Sequence, residues 1–269
     1  MQVSDLSIAM GVTGLALAGG LAGIYCSKRP YWGAVFGASF FIFLVILAIN
    51  RIPPLHYQLP FSWLAKGRFE FFAFAVSLPL MFGTLIPRLH RSRQRRMLWV
   101  LAVVGTGYFG VMPFAEAVLV RERLEGLETW REDGICLQTT DYTCGAAAAV
   151  TALHRLGLRA EESELAIAAH TTPSWGASGG QLAGAIESLY GRDGVRCEIK
   201  RFSSIEQMGD VCPVIATVKY RFMVDHYVTV LSVDDDELLV ADPLTGLEWV
   251  PCDTFNAKWR RIGISVLRE

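Results

Sequence analysis

A cysteine at the start of a short apolar run is the residue of this sequence best placed for nucleophilic chemistry. Cys144 lies near the end of the polar stretch Gln138-Thr-Thr-Asp-Tyr-Thr-Cys144-Gly145, and four alanines begin a run that ends at Gly157. Alanines favour a helix and the glycine favours its end, so Cys144 is predicted at a helix N-terminus that Thr143 or Asp141 is suited to cap. Unpaired amides and the positive end of the helix dipole favour a thiolate there. A small buried cysteine with no chemical role would fit the same local pattern.

A histidine and an aspartate further along the chain are suited to assist this thiol. His226 opens a run rich in β-branched residues, and Asp242 ends the next strand-like run. A hairpin between the two strands would return Asp242 to the His226 end, where a carboxylate holds one imidazole nitrogen and directs the other toward Cys144. Gln138, six residues before the cysteine, is suited to donate its side-chain amide to an oxyanion alongside the Cys144 backbone amide. The four residues together predict the centre of a cysteine hydrolase.

The elements predicted around these residues are helices first and strands afterwards, which is typical of an α+β domain with antiparallel strands. A glycine-rich loop at residues 171–180 separates the second and third helices, and we expect Trp175, Gly176 and Gly179 to line a substrate cleft. The helices are predicted at residues 144–156, 161–170, 181–189, 205–209 and 254–259. The strands are predicted at residues 196–202, 214–219, 227–233, 238–241, 249–251 and 261–266.

The part of the chain before this domain has a different composition. Residues 1–120 carry 10 Lys and Arg against 3 Asp and Glu, a net charge of +7, and the other 15 basic and 23 acidic residues leave −8 for the rest. Four apolar segments, each about 20 residues long, match the length needed to cross a hydrocarbon layer of about 30 Å. These transmembrane helices are predicted at residues 6–25, 31–50, 71–89 and 97–118. The acidic second part, with scattered basic residues, argues against nucleic-acid binding.

The distribution of arginines predicts the orientation in the membrane. The connection at residues 88–96 contains five arginines, so the positive-inside rule places it in the cytoplasm. Counting spans outward from it places the N-terminus and everything after the fourth span outside. We therefore expect a multi-pass protein of a bacterial inner membrane, with an extracytoplasmic domain at residues 133–269 joined to the membrane region, residues 1–120, by a connector at residues 121–132.

Two further features of the membrane region are expected to be structural. Gly19 with Gly23, and Gly33 with Gly37, have the small-xxx-small spacing that lets helices approach closely. The aromatic and proline-rich residues 52–63 are suited to lie on the membrane surface, with His56 in a structural role.

The motifs of the second part resemble those of the C39 family of papain-like cysteine peptidases, the bacteriocin-processing, double-glycine leader type. The matching motifs are Gln138-x5-Cys144-Gly145-x-Ala147, His226-Tyr-Val-Thr-Val and Asp242-Pro243-x-x-Gly246. The resemblance covers residues 133–269. It implies a papain-like fold with Cys144 as nucleophile, His226 as general base and acid, Asp242 as the residue that orients it and Gln138 in the oxyanion hole.

The chain departs from the best-known members of that family in two ways. Thr143 stands directly before the cysteine where those members have aspartate, with Asp141 two residues earlier. The sequence has no G-x-x-x-x-G-K-[ST] phosphate loop, so we expect no nucleotide and no fused transporter ATPase. Cleavage after a Gly-Gly leader is therefore only weakly implied.

The sequence predicts a membrane-bound thiol protease that cleaves a peptide bond in an exported or membrane-delivered polypeptide. Two alternatives stay open, namely acyl transfer of the transpeptidase or transglutaminase type and a catalytically idle domain that binds leader peptides. The expected partners are a peptide or protein substrate and the lipid bilayer. No cysteine spacing has the form of a metal site, and no cofactor is expected. Since the domain is predicted to lie outside the cell, a disulfide is possible among four cysteines, Cys136, Cys197, Cys212 and Cys252.

Overall fold

The structure, a computed structural model of the 269-residue chain, describes residues 5–51, 69–132, 134–221 and 224–269. The chain forms two compact units, Met1–Leu119 and Val120–Glu269. The segment predicted to lie on the membrane surface, with His56, falls outside the described residues.

The N-terminal unit is built from apolar helices. Three of them, Leu6–Ser27, Phe69–Arg88 and Ser92–Glu125, are long and apolar enough to cross a membrane, and Trp32–Ala48 is a shorter apolar helix. The prediction of an apolar helical region is confirmed with three to four helices. Its elements are α1 (Asp5–Ser27), α2 (Trp32–Arg51), α3 (Phe69–Leu85), a 3-10 turn (Ile86–Arg88), α4 (Ser92–Thr106), a π-helix (Gly107–Val111) and α5 (Met112–Glu125).

Glycines allow α1 and α3 to pack with their backbones almost in contact. A Cβ atom on Gly23 would lie 2.5 Å from the Leu80 carbonyl oxygen, and one on Gly83 would lie 2.6 Å from the Gly20 carbonyl oxygen. The predicted packing role of the first glycine pair is therefore confirmed. The second pair has no such role in the described chain, because a Cβ atom on either Gly33 or Gly37 would meet nothing within 4 Å.

This close contact predicts the effect of a side chain at Gly23. Gly23→Val is expected to lower the free energy of unfolding of the full chain in detergent by about 1–3 kcal/mol, because the helices must separate to admit two methyl groups. Gly14→Val is the matched control, since Gly14 lies on the same helix with open space around it. Thermal unfolding of both variants measures the difference, and equal losses of stability would contradict the packing argument.

The C-terminal unit has helices before strands, as predicted. It opens on a short hairpin that the sequence did not predict, β1 (Trp130–Glu132) and β2 (Ile135–Leu137). The helices are α6 (Cys144–Arg155), α7 (Glu162–Ala168), α8 (Gly179–Tyr190), α9 (Glu206–Gly209) and α10 (Cys252–Lys258). The strands are β3 (Val195–Arg201), β4 (Val214–Arg221), β5 (Val224–Val233), β6 (Glu237–Asp242), β7 (Gly246–Pro251) and β8 (Trp259–Arg268).

Six strands form one antiparallel sheet in the order β3-β8-β4-β5-β6-β7. The predicted fold class, an apolar helical region followed by an α+β domain with an antiparallel sheet, is confirmed. The sheet order places β5 between β4, which pairs with it from Val224 onward, and β6, which pairs with it from Thr229 onward.

The helix α6 packs against β5 and is buried along most of its length. Its residues from Gly145 to Leu153 are all buried, and the alanines among them are small enough to let the helix lie close to the sheet. The hydroxyl of Thr229 on β5 donates a buried hydrogen bond of 2.8 Å to the Ala148 carbonyl oxygen. This bond fixes β5 against α6, so the two elements that carry His226 and Cys144 are held together.

Candidate active site

Cys144 lies at the N-terminus of α6, as the sequence predicts. The N-cap residue is Thr143, but its side chain makes no capping hydrogen bond within the described chain. Its hydroxyl instead donates to the Thr140 carbonyl oxygen at 3.2 Å and accepts from the Thr140 amide at 3.2 Å. The predicted side-chain cap by Thr143 is therefore wrong, because the turn before the helix uses that hydroxyl. The positive end of the helix dipole still lies at the half-buried thiol of Cys144.

The residue after the cysteine has to be small. A Cβ atom on Gly145 would lie 3.3 Å from Cδ2 of Tyr227 and 3.4 Å from Cδ2 of Leu182. The glycine thus allows the first turn of α6 to sit directly against β5 and α8.

His226 and Asp242 form the hydrogen bond that the predicted hairpin requires. The register of β5 and β6 pairs Thr229 with Ala241, which places Asp242 beside the start of β5. The distance between His226 Nε2 and Asp242 Oδ1 is 2.7 Å, and His226 is only 5% exposed. The Leu244 amide donates to the same Oδ1 at 2.8 Å, which fixes the carboxylate from the other side.

His226 also lies close enough to the Cys144 side chain for that group to act on the pKa of the imidazole, which brings the start of the strand to the helix N-terminus. Burial by itself lowers the pKa of His226, but the hydrogen bonds and charges of Asp242 and Cys144 outweigh it and raise that pKa to about 9. Burial likewise raises the pKa of Asp242, and the hydrogen bonds from His226 and the Leu244 amide reverse that effect and leave it lowered. The imidazole is therefore held in its protonated form at neutral pH.

Tyr220 is a neighbour of His226 that the sequence did not single out. Its ring centroid lies 5.6 Å from that of His226, and the side chain is half exposed. Val218 on β4 pairs with His226, and Tyr220 follows two positions later on the same face of the sheet. The β4–β5 hairpin was visible as two strand-like runs, but the register that brings Tyr220 to the histidine was not.

Gln138 lies beside the turn that carries Asp242. Its backbone amide donates to the Pro243 carbonyl oxygen at 2.9 Å, and its side-chain Nε2 donates to the Thr140 carbonyl oxygen at 2.7 Å. Its Oε1 is buried and has no hydrogen-bond partner among the described atoms. A primary amide carries two N–H groups, so one remains available besides the bond to Thr140.

A buried carboxylate holds the start of this loop, and the sequence did not predict it. Glu162 is fully buried on α7, and it accepts hydrogen bonds from the Thr139 amide at 3.0 Å and from the Thr139 hydroxyl. The Glu162 backbone amide donates a hydrogen bond of 3.0 Å to the Thr129 hydroxyl. Thr129 and Thr139 therefore both bind Glu162, which holds the segment next to Gln138 against α7.

Removal of the Glu162 carboxylate should lower the stability of the protein. Glu162→Ala is expected to lower the free energy of unfolding by about 3 kcal/mol, because the amide and hydroxyl of Thr139 lose their acceptor in a buried site. Glu164→Ala is the matched control, since Glu164 is exposed two residues later on the same helix. Thermal unfolding of the full chain in detergent measures both. A loss of the same size in the control would show that α7 tolerates no change and that the buried bonds are not the cause.

The glycine-rich loop lies next to the segment before Cys144. Thr172 and Gly176 form an antiparallel bridge around an exposed turn, and Trp175 is 41% exposed within it. Gly176 has φ of +62°, and a Cβ atom on it would lie 3.8 Å from the Tyr142 carbonyl oxygen. Gly179 is buried as the first residue of α8.

A sequence model of the peptidase C39 family matches residues 133–269, just over half of the chain. The chain belongs to the peptidase C39 family. An uncharacterized protein of Methanothermobacter marburgensis is 34% identical over 125 residues, which cover 46% of this chain and 82% of that protein. An uncharacterized protein of Methanothermobacter thermautotrophicus is 29% identical over 129 residues, with the same two coverages, 46% and 82%.

Solved structures of C39 peptidase domains are also similar to this chain. The peptidase domain of Streptococcus ComA, a bi-functional ABC transporter involved in a quorum-sensing pathway, is 17% identical, with a TM-score of 0.44 over 49% of this chain and 96% of that domain. A double glycine motif protease from an AMS/PCAT transporter, solved in complex with the leader peptide, is 15% identical, with a TM-score of 0.44 over 50% of this chain and 91% of that one.

The other four cysteines of the C39 domain are present as thiols, so the disulfide that the sequence allowed is not formed. Burial raises the pKa of Cys212 to about 11 despite the nearby charge of Arg155, so this thiol is protonated at neutral pH. Within the ranges that the structure describes, no group of three His, Cys, Asp or Glu side chains is arranged to hold a metal ion.

Proposed function

We propose that the chain is a membrane-anchored cysteine peptidase that uses Cys144, His226 and Asp242. The observation that carries this proposal is the position of His226, which hydrogen-bonds to Asp242 at 2.7 Å and lies close enough to Cys144 for that side chain to act on the pKa of the imidazole. Since Nε2 faces Asp242, Nδ1 is the nitrogen left for the thiol. Membership of the C39 peptidase family supports the same chemistry.

In the proposed mechanism Cys144 attacks the carbonyl carbon of a peptide bond as a thiolate, and His226 is its imidazolium partner. The tetrahedral oxyanion is bound by the Cys144 backbone amide and by the second N–H of the Gln138 side chain. Collapse breaks the C–N bond as His226 gives its proton to the departing amine, which leaves a thioester on Cys144. His226 then takes a proton from water, whose oxygen attacks the thioester; the C–S bond breaks, the acid leaves, and Cys144 is again a thiolate beside the imidazolium.

The glycine-rich loop and Tyr220 are proposed to flank the substrate. Trp175 and Tyr220 are both exposed aromatic side chains. Trp175 directly precedes Gly176, which approaches the Tyr142 carbonyl oxygen, and the Tyr220 ring lies beside that of His226. A peptide bound in extended form would place its side chains against these rings. Trp175, Gly176 and Gly179 keep the substrate-binding roles predicted for them as part of this proposal.

Product analysis tests the reaction type. We would incubate the full chain in detergent with a peptide library in H₂¹⁸O, with and without an added primary amine. A peptidase produces new N-termini and places ¹⁸O in the new carboxylate, whereas an acyl transferase produces amides of the added amine. Cys144→Ala is the control for both reactions, and absence of either product with wild type would favour the idle, peptide-binding alternative. The residues flanking each cut would show whether cleavage follows a Gly-Gly pair.

The proposed location is tested separately. The arginine-rich connection at residues 88–96 supports an orientation that places the C39 domain outside a bacterial inner membrane. An impermeant, thiol-reactive peptidyl probe should therefore label Cys144 on intact cells, and Cys144→Ala and His226→Ala should abolish that labelling. Labelling only after the cells are broken would place the domain in the cytoplasm and overturn the orientation.

A further inference from the structure

The N-terminal unit contains two adjoining cavities that the proposed peptidase mechanism does not use. One, of about 450 Å³, lies between α1, α3, α4 and the π-helix, and we call it the apolar cavity. The other, of about 480 Å³, lies at the start of α4, and we call it the basic cavity. Ile24 and Trp99 line both, so the two cavities lie on either side of these two side chains. Their volumes fall in the range of small-molecule sites, about 300–1,000 Å³.

The basic cavity is lined by groups that bind anions. Arg95, Arg96 and the hydroxyl-bearing Ser92 line it, together with Trp99. Its lining contains no acidic residue in the part of the chain that the structure describes, and the first turn of α4 contains none either. Two guanidinium groups beside the N-terminal turn of a helix give this cavity a positive potential.

The apolar cavity is suited to hydrocarbon. Its walls are aliphatic and aromatic side chains and glycines, and Thr13, one of its two polar residues, uses its hydroxyl in a 2.8 Å bond to the Ala9 carbonyl oxygen. The π-helix contributes Gly107 and Val111 to the wall. A π-helical turn is wider than an α-helical one and is often found at functional sites. A flexible acyl chain fits such a cavity, whereas a helix about 10 Å in diameter does not.

We propose that the two cavities form one binding site for an anionic glycerophospholipid. The phosphate lies in the basic cavity against Arg95 and Arg96, Trp99 lies at the level between headgroup and chain, and an acyl chain occupies the apolar cavity. A tryptophan at that depth and paired arginines at a helix end are the features that hold lipid headgroups at a membrane interface. The inference rests on the membrane embedding of the N-terminal unit that forms part of the proposed function.

Native mass spectrometry of the full chain tests this site. The protein is purified in a neutral detergent, which removes the general surface potential of a membrane, and phosphatidylglycerol or phosphatidylcholine is added at equal concentration. We expect retention of one phosphatidylglycerol and little phosphatidylcholine. Replacing both arginines, Arg95→Gln with Arg96→Gln, is expected to weaken phosphatidylglycerol binding about 30-fold.

Matched variants distinguish lipid binding at this site from a general effect of charge or hydrophobicity on lipid binding. Arg91→Gln with Arg93→Gln removes the same charge from the same connection, but neither residue lines the basic cavity, so binding should be unchanged. Val103→Trp is expected to fill the apolar cavity and weaken binding without a change of charge. Its control is Val104→Trp, a similarly exposed neighbour outside the lining.

Three results would overturn the proposal. These are equal losses from the two arginine pairs, equal retention of the two lipids, and thermal stabilisation by inorganic phosphate alone as large as that by phosphatidylglycerol. The measurements are made on Cys144→Ala protein, so they do not depend on peptidase activity. Resistance of the chain to alkaline carbonate extraction tests membrane embedding independently, which distinguishes failure of the lipid site from failure of the proposed function.

Discussion

Cys144→Ala is expected to reduce peptide hydrolysis about 10⁶-fold, and His226→Ala should cost nearly as much, because the thiol and the imidazole act as one unit. The variant that carries both changes should be no slower than either single variant. Once the nucleophile is gone, the imidazole has no thiol to assist, and the reverse also holds. Initial rates with a peptide selected from the library experiment, measured at pH 7 for all four proteins, give this double-mutant cycle.

Cys252→Ala is the matched control for that cycle. Cys252 is also the first residue of a helix, α10, so it shares the local position of Cys144. Partial burial, together with the nearby carboxylates of Glu206, Asp236 and Asp253, raises the pKa of Cys252. Its replacement should leave the rate unchanged. Additive losses from Cys144→Ala and His226→Ala would contradict the pairing, and a rate that survives Cys144→Ala would assign the chemistry to another residue.

The contrast between the two cysteines also explains why a helix N-terminus was not enough to predict the site. The polyalanine run and the glycine after it were sufficient to place Cys144 at a helix start, since both signals are local. The reactivity of a thiol depends on the side chain that faces it, and of these two cysteines it is Cys144 that has an imidazole nearby. The hairpin argument predicted the pairing of His226 with Asp242, because two strand-like runs separated by a short polar turn return the chain on itself, but it did not place His226 opposite Cys144.

Two contacts near the site that the sequence did not predict join distant segments. Glu162 binds Thr139 across 23 residues, and Thr229 binds the Ala148 carbonyl oxygen across 81. Nothing in the neighbourhood of Glu162 distinguishes it from the exposed Glu161 and Glu164 on either side. Propensity and periodicity describe a segment and its own faces, so they do not show which face of another segment it meets.

The same limit applies to the membrane region. Composition was sufficient to predict its apolar helices, because a span needs length and low charge and little else. The spacing of Gly33 and Gly37 is as good as that of Gly19 and Gly23, yet only the latter pair lies at a close contact in the described chain. Small residues at this spacing permit close approach, and the partner helix decides whether it occurs.

Two substitutions at Asp242 are expected to separate its role in orienting the His226 ring from the effect of its negative charge. Asp242→Ala should lower the hydrolysis rate about 10³- to 10⁴-fold, because His226 loses the acceptor that fixes its ring. Asp242→Asn should cost far less, about 10-fold, because the amide oxygen can still accept from His226, as it does in Cys-His-Asn proteases. The Leu244 amide donates to this same oxygen, so it selects the amide orientation with the oxygen toward the imidazole.

The pH dependence of the hydrolysis rate should change when Asp242 loses its negative charge. His226 has to be protonated to give a proton to the leaving amine, so wild-type activity is expected to fall as the pH rises through about 9, the pKa of His226. In Asp242→Asn the anion that helps to raise the pKa of His226 is gone, and the alkaline limb of the rate profile should move to lower pH. Rates measured from pH 5 to 10 with both variants and wild type check this shift.

The free energy of unfolding should also depend on pH through His226 and Asp242. Because the pKa of His226 is raised from 6.5 to about 9 by folding, its contribution is complete below pH 6.5 and is lost as the pH rises through 9. Because the pKa of Asp242 is lowered from 3.8, its contribution is present above that pH and is lost as the pH falls through the lower, folded value. The stability difference between wild type and Asp242→Asn should therefore be largest between about pH 4 and 6.5.

An unchanged alkaline limb in Asp242→Asn, together with a constant stability difference from pH 4 to 9, would mean that the carboxylate does not hold the charge on His226. Equal rate losses in Asp242→Asn and Asp242→Ala would mean that charge, and not orientation, limits the reaction. The expected pattern, a small loss with a shifted limb for asparagine and a large loss for alanine, requires both hydrogen bonds to Oδ1. It would therefore test the same geometry from which the mechanism was proposed, the histidine fixed by Asp242 and directed at Cys144.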